Sequence, residues 1–342
     1  MDFKSLYDKL ILDINTQLNE EKLNFLNELN NYTHLVEPLF QKLAETLDGG
    51  KRIRGFLVLL GYYICGGKNH DQALKGAIAY EIFQSSILIH DDVIDLSQTR
   101  RGKNTIHFSL GNNHYGNSQA ICLGDIGFFW SMKIVNSIPL ENEVKCKVTN
   151  SFLDAMIKTG VGEILDIETP KFQHINASHI DEVHYFKTAV YTFIGPLKLG
   201  GLMANASQTM LTSFEKIGKS LGLAFQIKDD IIGVFNDQES IGKSNSSDIE
   251  ENKMTHMYFF AIENANSQDL SELKSIYGKK NISTDELNKV REIFTRCGAL
   301  EYANHLILTH MENAKKSMAE SSIPVEYQKI LLSFSEYLTQ IK

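Results

Sequence analysis

The segment "QALKGAIAYEIFQSSILIHDDVID", residues 72 to 95, decides how this chain is to be read. Leu74, Ile78, Ile82 and Ile89 recur at helical spacing, and Asp71 stands where an N-cap is expected. At 1.5 Å per residue such a helix would run about 35 Å, longer than most globular helices. Its far end carries Asp91, Asp92 and Asp95. On a helix these side chains project to one region, because residues three and four apart are neighbours. Asp is a poor helix former, like charges repel at that spacing, and the helix dipole makes a C-terminal position worse. Folding alone asks for no such cluster. A solvated helix end is the commoner origin of such a pattern, but the apolar "SILIH" ahead of it favours a functional one.

A second pair, Asp229 and Asp230, lies in "LAFQIKDDIIGVF", and Phe-Gln precedes the aspartates here as it does in the first segment. Phe214, Ile217, Leu221, Ala224, Ile231 and Phe235 give this region a helical period. In "VHYFKTAVYTFIGPLKLGG" the residues Val183, Phe186, Val190 and Phe193 keep the helical step, and Pro196 is expected to kink the helix and free the Thr192 carbonyl. With 5 prolines in 342 residues and no strand-like alternation, the chain reads as one all-α domain over residues 1–342, its motifs lying between about 48 and 256.

Two acidic clusters inside apolar helices are destabilising unless cations neutralise them. Oxygen ligands unaccompanied by His or Cys select Mg²⁺ or Mn²⁺ over zinc. Two glycine-containing loops group basic residues: "GGKRIRG" contributes Lys51, Arg52 and Arg54, and "TRRGK" contributes Arg100, Arg101 and Lys103. Lys187, Lys243 and Lys253 come later in the chain. Each taken singly is an ordinary surface charge. Grouped beside carboxylates of the metal-binding type, they suit a diphosphate, Arg as a planar fork and Lys as a point charge.

A formal charge of −8 excludes a non-specific nucleic-acid binder. The four cysteines, Cys65, Cys122, Cys146 and Cys297, form no CxxC pair, so reduced thiols and a cytoplasmic setting are expected. Charges at Asp2, Lys4, Asp8 and Lys9 interrupt any signal-peptide core, and the apolar stretch at 55–67 is too short to span a bilayer.

With "GGKRIRG", "DDVIDLSQTRRG", the Lys-Thr at 187 and 188, "FQIKDD" and "GKSNSSDIEENKMT" in this order, the chain resembles the all-trans isoprenyl diphosphate synthases, the farnesyl and geranylgeranyl diphosphate synthase family. The resemblance implies an all-α bundle around a deep hydrophobic cavity, usually a homodimer, with the two aspartate motifs facing across its mouth. It implies three Mg²⁺ ions with substrate bound, Mn²⁺ being the alternative. Asp91 and Asp95 would hold two of them, with Asp92 behind, and Asp229 the third, assisted by Asp230. Arg100, Lys187, Lys243 and Lys253 would contact the allylic prenyl diphosphate. Lys51, Arg54, Gln84 and Arg101 would hold isopentenyl diphosphate, with Phe225 against its hydrocarbon. Thr188, Gln226 and Lys187 would face the carbocation. Members making farnesyl products often carry aromatics four or five residues before the first Asp, where this chain has Ile87 and Ser86. Ser86 leaves room, so Phe83, one turn deeper, and Phe128, Phe129 and Trp130 become the candidate floor. The resulting expectation is a twenty-carbon geranylgeranyl product, with farnesyl diphosphate as the alternative.

The chain departs from the family pattern at Gly233, where many members have a third Asp, at Gly55, where proline is usual, and at Asn252, where glycine is common. Three rivals are weaker. A phosphohydrolase built on His90-Asp91 leaves Asp229, Asp230 and "TRRGK" without a role. A class I terpene cyclase has no need of an isopentenyl diphosphate clamp, and a non-catalytic partner subunit would lack an intact first motif.

Overall fold

The computed structural model describes residues 2–172, 174–236 and 246–340. The chain forms two compact units, Met1–Leu153 with Gly195–Leu211, and Asp154–Ile194 with Thr212–Lys342.

The first unit contains α1 (Phe3–Tyr32), α2 (Glu37–Glu45), α3 (Ile53–Ile64), α4 (His70–Ile94), a hairpin of β1 (Thr99–Arg100) and β2 (Lys103–Asn104), α5 (Ile106–Ser109), α6 (His114–Ser137) and the first half of α7 (Asn142–Glu168). Leu74, Ile78, Ile82 and Ile89 of α4 are buried, as the helical spacing requires. The start of α4 differs from the sequence expectation. Asn69 is the N-cap, its side chain accepting from the Gln72 amide at 3.2 Å, while Asp71 lies inside the first turn. A carboxylate there still faces the positive end of the helix dipole. α6 packs on α4 at closest range where it carries glycine: a Cβ on Gly127 would lie 2.2 Å from Ser86 Oγ.

The second half of α7 opens the second unit, and α8 (Ala177–His184) comes next. Between α8 and α9 (Gly195–Met203) the chain runs as a π-helix over Tyr185–Ile194. Ahead of Pro196 the ladder is thus widened where an α-helix was expected, a device frequent at functional sites. α9 belongs to the first unit, where it lies so close to α3 that a Cβ on Gly200 would sit 2.0 Å from the Val58 carbonyl oxygen. The long α10 (Gln208–Phe235) buries Phe214, Ile217, Leu221, Ala224 and Ile231, while Phe235 is half-buried. The second unit continues through α11 (Ser247–Glu250), α12 (His256–Asn264), α13 (Ser267–Ile276), α14 (Thr284–Arg296), α15 (Ala299–Ala319) and α16 (Val325–Gln340). Among the described residues no helix is long and apolar enough to cross a membrane, and all four cysteines are free.

Candidate active site

In the first unit, α4 ends on its acidic cluster, with Asp95 as C-cap. The neutralising cation comes from the hairpin. Arg100 donates from Nε to Asp92 Oδ1 at 2.6 Å and from Nη2 to Asp91 Oδ2 at 2.8 Å. Burial disfavours the Arg100 charge, but Asp91, Asp92 and Asp95 outweigh it and hold the guanidinium firmly protonated. The sequence expectation that cations must balance this cluster is therefore met in part by the protein itself.

The hairpin turns through Arg101 (φ 53°) and Gly102 (φ 73°), the two positive dihedrals that a tight two-residue connection requires. It is tied back by Thr105, whose hydroxyl donates to the Ser97 carbonyl at 2.7 Å. The side chain of Arg101 extends over the Gly49-Gly50 loop and donates to the Asp48 carbonyl at 3.1 Å. Its proton affinity is lowered by burial and then by Arg52, Arg100 and Arg54, which marks a concentration of positive charge. Lys51 is exposed, Arg54 buried and Gln84 half-buried.

Arg52 has a different task. It caps α3 in a left-handed conformation (φ 49°) and is fully engaged below the surface, with Asn15 Oδ1 at 2.8 Å, the Leu47 carbonyl at 2.7 Å and Glu81 Oε2 at 3.4 Å. Glu81 also accepts from the Gly55 amide at 2.9 Å. That bond explains the departure at Gly55. The amide is one of the unpaired donors of a first helical turn, Glu81 satisfies it, and a proline could not donate it.

The chain-length candidates divide. Phe83 touches Tyr80, Phe128 and Phe152, with ring centroids 6.3, 5.8 and 5.5 Å away. Ile87 is half-buried. Ser86 is sealed between α4 and α6, its hydroxyl donating to the Ile82 carbonyl at 2.9 Å, so its small size serves helix approach. Phe129 points outward at 73% exposure. Trp130 stacks on Phe25 at 3.9 Å and donates to Glu21 Oε1 at 3.0 Å, which places it in the packing against α1.

In the second unit the π-helix is the organising element. α7 approaches it at Gly162, where a Cβ would lie 2.2 Å from the Lys187 amide nitrogen, and α10 approaches it at Gly222, where a Cβ would lie 2.3 Å from Ala189 Cβ. Lys187 therefore reaches α7, meeting Asp166 Oδ2 at 2.6 Å and Glu163 Oε2 at 3.0 Å. Thr188 turns to α10 and donates to Gln226 Oε1, and Gln226 Nε2 donates to Asp230 Oδ1 at 2.9 Å. His184, one turn back, brings Nε2 to 3.2 Å from Asp230 Oδ2.

Asp230 is buried and Asp229 exposed, so the pair presents one inward and one outward carboxylate. Burial pushes Asp230 up, but His184, Lys253 and Gln226 outweigh it and hold its carboxyl below the usual range. Asp166 behaves alike: burial is opposed by Lys253 and Lys187, and the carboxyl is held low. Lys253 itself pairs with Asp248 at 3.4 Å. Asn252 holds a left-handed backbone (φ 58°), which asparagine tolerates better than most residues, so the departure from glycine there is accommodated. Phe225 packs edge-on to Phe193, centroids 5.6 Å apart. Lys243 lies outside the described residues.

The sequence reading missed Glu163, Asp166 and His184. The readable signal was the Glu-x-x-Asp spacing in "GVGEILDIE", which puts two carboxylates on one face of α7. Across both units the donors at the two motifs are chiefly carboxylates, which suits magnesium or manganese. Among the described residues no three His, Cys, Asp or Glu side chains form a ready-made metal cage. Magnesium uses few protein ligands and completes its shell with water and phosphate oxygens, so the residues present fit it.

A polyprenyl synthetase family model matches residues 36–294. A short chain isoprenyl diphosphate synthase of Methanothermobacter thermautotrophicus is 35% identical over 272 residues, covering 79% of this chain and 80% of that protein. A farnesyl diphosphate synthase of Micrococcus luteus is 31% identical, covering 72% and 84% respectively. Among solved structures, a geranylgeranyl pyrophosphate synthase of Corynebacterium glutamicum, complexed with isoprenyl diphosphate and magnesium, matches over 100% of both chains with 26% identity and a TM-score of 0.90. The chain belongs to the polyprenyl synthetase family and has its all-α isoprenoid synthase fold. It is a trans-prenyltransferase, a prenyl diphosphate synthase.

Proposed function

We propose that the chain condenses isopentenyl diphosphate with an allylic diphosphate to give geranylgeranyl diphosphate, working as a homodimer in the cytoplasm with both units forming one catalytic domain. The observation that carries the reading is the π-helix arrangement, in which consecutive residues serve two roles. Lys187 offers a charge to a diphosphate, and Thr188 turns an oxygen, anchored through Gln226 to Asp230, toward the reacting carbon.

The allylic C–O bond breaks first, separating a carbocation from a diphosphate. Arg100, Lys187, Lys253 and Lys243 stabilise the leaving group, and Thr188 and Gln226 the cation. Asp91 and Asp95, with Asp92 behind, would hold two magnesium ions, and Asp229 with Asp230 a third; Mn²⁺ is the alternative. Bound magnesium supplies Lewis-acid stabilisation of the diphosphate. Lys51, Arg54, Gln84 and Arg101 hold isopentenyl diphosphate, with Phe225 against its hydrocarbon, so that its terminal alkene carbon attacks the cation. The attack leaves the positive charge on the methyl-bearing carbon of the former alkene; a proton is then lost from the methylene next to that carbon to the released diphosphate, a double bond re-forms, and no histidine is required. Phe83 and Phe128, one turn and more below the aspartates, are the residues proposed to limit the product.

The product assignment is supported by the geranylgeranyl synthase of C. glutamicum and the absence of an aromatic at 87. The dimer is supported by an apolar stripe on α7, where Leu153, Ile157, Val161 and Ile164 are exposed by 37, 65, 41 and 63%. The test is incubation with Mg²⁺, labelled isopentenyl diphosphate and dimethylallyl, geranyl or farnesyl diphosphate, with chromatography of the dephosphorylated products. A twenty-carbon alcohol is expected. A product that stops at fifteen carbons removes the length assignment, and a cyclic hydrocarbon or no elongation removes the reading as a whole.

A further inference from the structure

The residues assigned to isopentenyl diphosphate come from separate segments of the first unit, and the loop that carries Lys51 is intrinsically permissive. Gly49 (φ 71°) and Gly50 (φ 92°) lie in the left-handed region that glycine enters freely, and a Cβ on Gly49 would meet nothing within 4 Å. The ties on this loop come from α1. Tyr7, Asn15 and Lys22 are spaced by eight and seven residues, which puts them on one face of that helix. The Tyr7 hydroxyl donates to the Lys51 carbonyl, Asn15 Oδ1 accepts from Arg52 Nε at 2.8 Å, and Lys22 Nζ meets Asp48 Oδ1 at 2.5 Å. Asp48 passes the tie on to the hairpin. Its carboxylate stands 3.6 Å from Lys103 Nζ, and its carbonyl accepts from Arg101 Nη1 at 3.1 Å. α1 is itself firmly seated. Leu6, Leu10, Ile14 and Leu18 are buried, and the Tyr7 ring packs edge-on to Phe56 of α3 with centroids 5.0 Å apart.

Resting on the function proposed above, we infer that α1 braces the isopentenyl diphosphate site, with Tyr7 and Lys22 as positioning residues for Lys51 and Arg101. Tyr7 fixes the backbone from which the exposed Lys51 side chain extends, and Lys22 fixes Asp48, the residue on which the Arg101 guanidinium rests. Two cations on two loops must meet one diphosphate, so any freedom between those loops is lost on binding and weakens affinity. The brace removes that freedom before the substrate arrives. Arg100, assigned to the allylic diphosphate, is held instead by Asp91 and Asp92. Loss of the brace therefore acts on one substrate and spares the other.

The test is steady-state kinetics of Tyr7→Phe, Lys22→Met and the double variant, with each substrate varied in turn and melting curves alongside. Tyr7→Phe keeps the ring and removes one hydrogen bond, so KM for isopentenyl diphosphate should rise about two- to tenfold. Lys22→Met removes a partly exposed ion pair and should raise it about twofold. The double variant should exceed either, while kcat and the allylic KM stay at the wild-type values. An unchanged KM for isopentenyl diphosphate in Tyr7→Phe overturns the inference, as does an equal rise for both substrates. A lowered melting temperature with both constants intact overturns it too, because α1 would then serve the fold alone. Should Tyr7→Phe fail to fold, Lys22→Met decides, since its partner Asp48 is 43% exposed and the pair carries little of the stability. Lys51→Ala serves as the control. If it raises KM for isopentenyl diphosphate while Tyr7→Phe does not, only this inference falls; if it too leaves that constant unchanged, the site assigned to isopentenyl diphosphate is wrong and the brace falls with it.

Discussion

The two acidic clusters of this protein solve the same electrostatic problem by different means. Asp91 and Asp92, at a helix end, are bridged by the Arg100 guanidinium, carried on the first strand of the hairpin. Asp230, in the body of α10, is held by His184 from α8 and by Gln226 one turn back on α10 itself, with Lys253 acting from further along the chain. The first arrangement is releasable in the function proposed above, where Arg100, half-buried on a hairpin strand, leaves its carboxylates for a diphosphate. The second is fixed, because its partners are themselves packed. One site is thus organised for exchange of partners and the other for rigidity.

The most severe way to break this comparison is to remove one carboxylate from each side. Asp91→Ala and Asp229→Ala should each lower kcat by roughly 10³-fold or more, since metal-borne charge stabilisation is worth several kcal/mol of barrier. Circular dichroism and melting should show both variants folded. Near-normal turnover in either would leave a single working cluster.

A smaller effect separates the two neighbouring arginines. Arg101→Ala should raise KM for isopentenyl diphosphate about 10- to 100-fold with little change in kcat, because it removes a binding contact. Steady-state kinetics with each substrate varied would reveal the opposite outcome, a selective loss of allylic affinity.

Removing the partners of the two clusters tests exchange against rigidity. Arg100→Ala and His184→Ala should each cost about 1–3 kcal/mol in metal-free buffer, the usual consequence of taking a partner from a shielded charge. Adding Mg²⁺ with inorganic diphosphate should restore more of the loss in Arg100→Ala than in His184→Ala. Equal recovery by differential scanning fluorimetry would erase the distinction drawn between the clusters.

The mildest test uses pH. The folded pKa of Asp230 lies below its unfolded value of about 3.9, so its contribution to stability is complete above that value. That contribution is lost as pH falls through the folded pKa. Asp230→Asn should therefore be less stable than wild type near neutrality, and the difference should shrink as the solution is acidified below about pH 4. Urea midpoints measured over that range would expose a difference that stays constant instead.

Much of this was readable from the residues. The apolar spacing of α4 and α10 gave both helices, and the Asp pairs with their arginine loops gave the family and its chemistry. What stayed hidden has physical reasons. Apolar residues three and four apart cannot distinguish an α ladder from a π ladder, so Tyr185–Ile194 read as an α-helix running into Pro196. Strands of two residues leave no alternation to detect. Asp71 read as a cap because Asn69 and Asp71 are both good cap residues and only the backbone decides between them. Ser86 read as cavity space, since nothing in its own neighbourhood in sequence announces Gly127. His184 and Asp166 act on motif residues through tertiary proximity alone.

The turn that carries Arg101 has a consequence for engineering. A non-glycine residue at a positive φ gives up roughly 1–2 kcal/mol of backbone comfort, and both Arg52 and Arg101 sit in that region. Glycine at position 101 would relax the hairpin while discarding the guanidinium, so a screen for thermal tolerance alone would reward a change that removes the contact proposed for isopentenyl diphosphate. Variants selected for heat resistance in this loop should accordingly be checked for a lost appetite for isopentenyl diphosphate before any gain is credited.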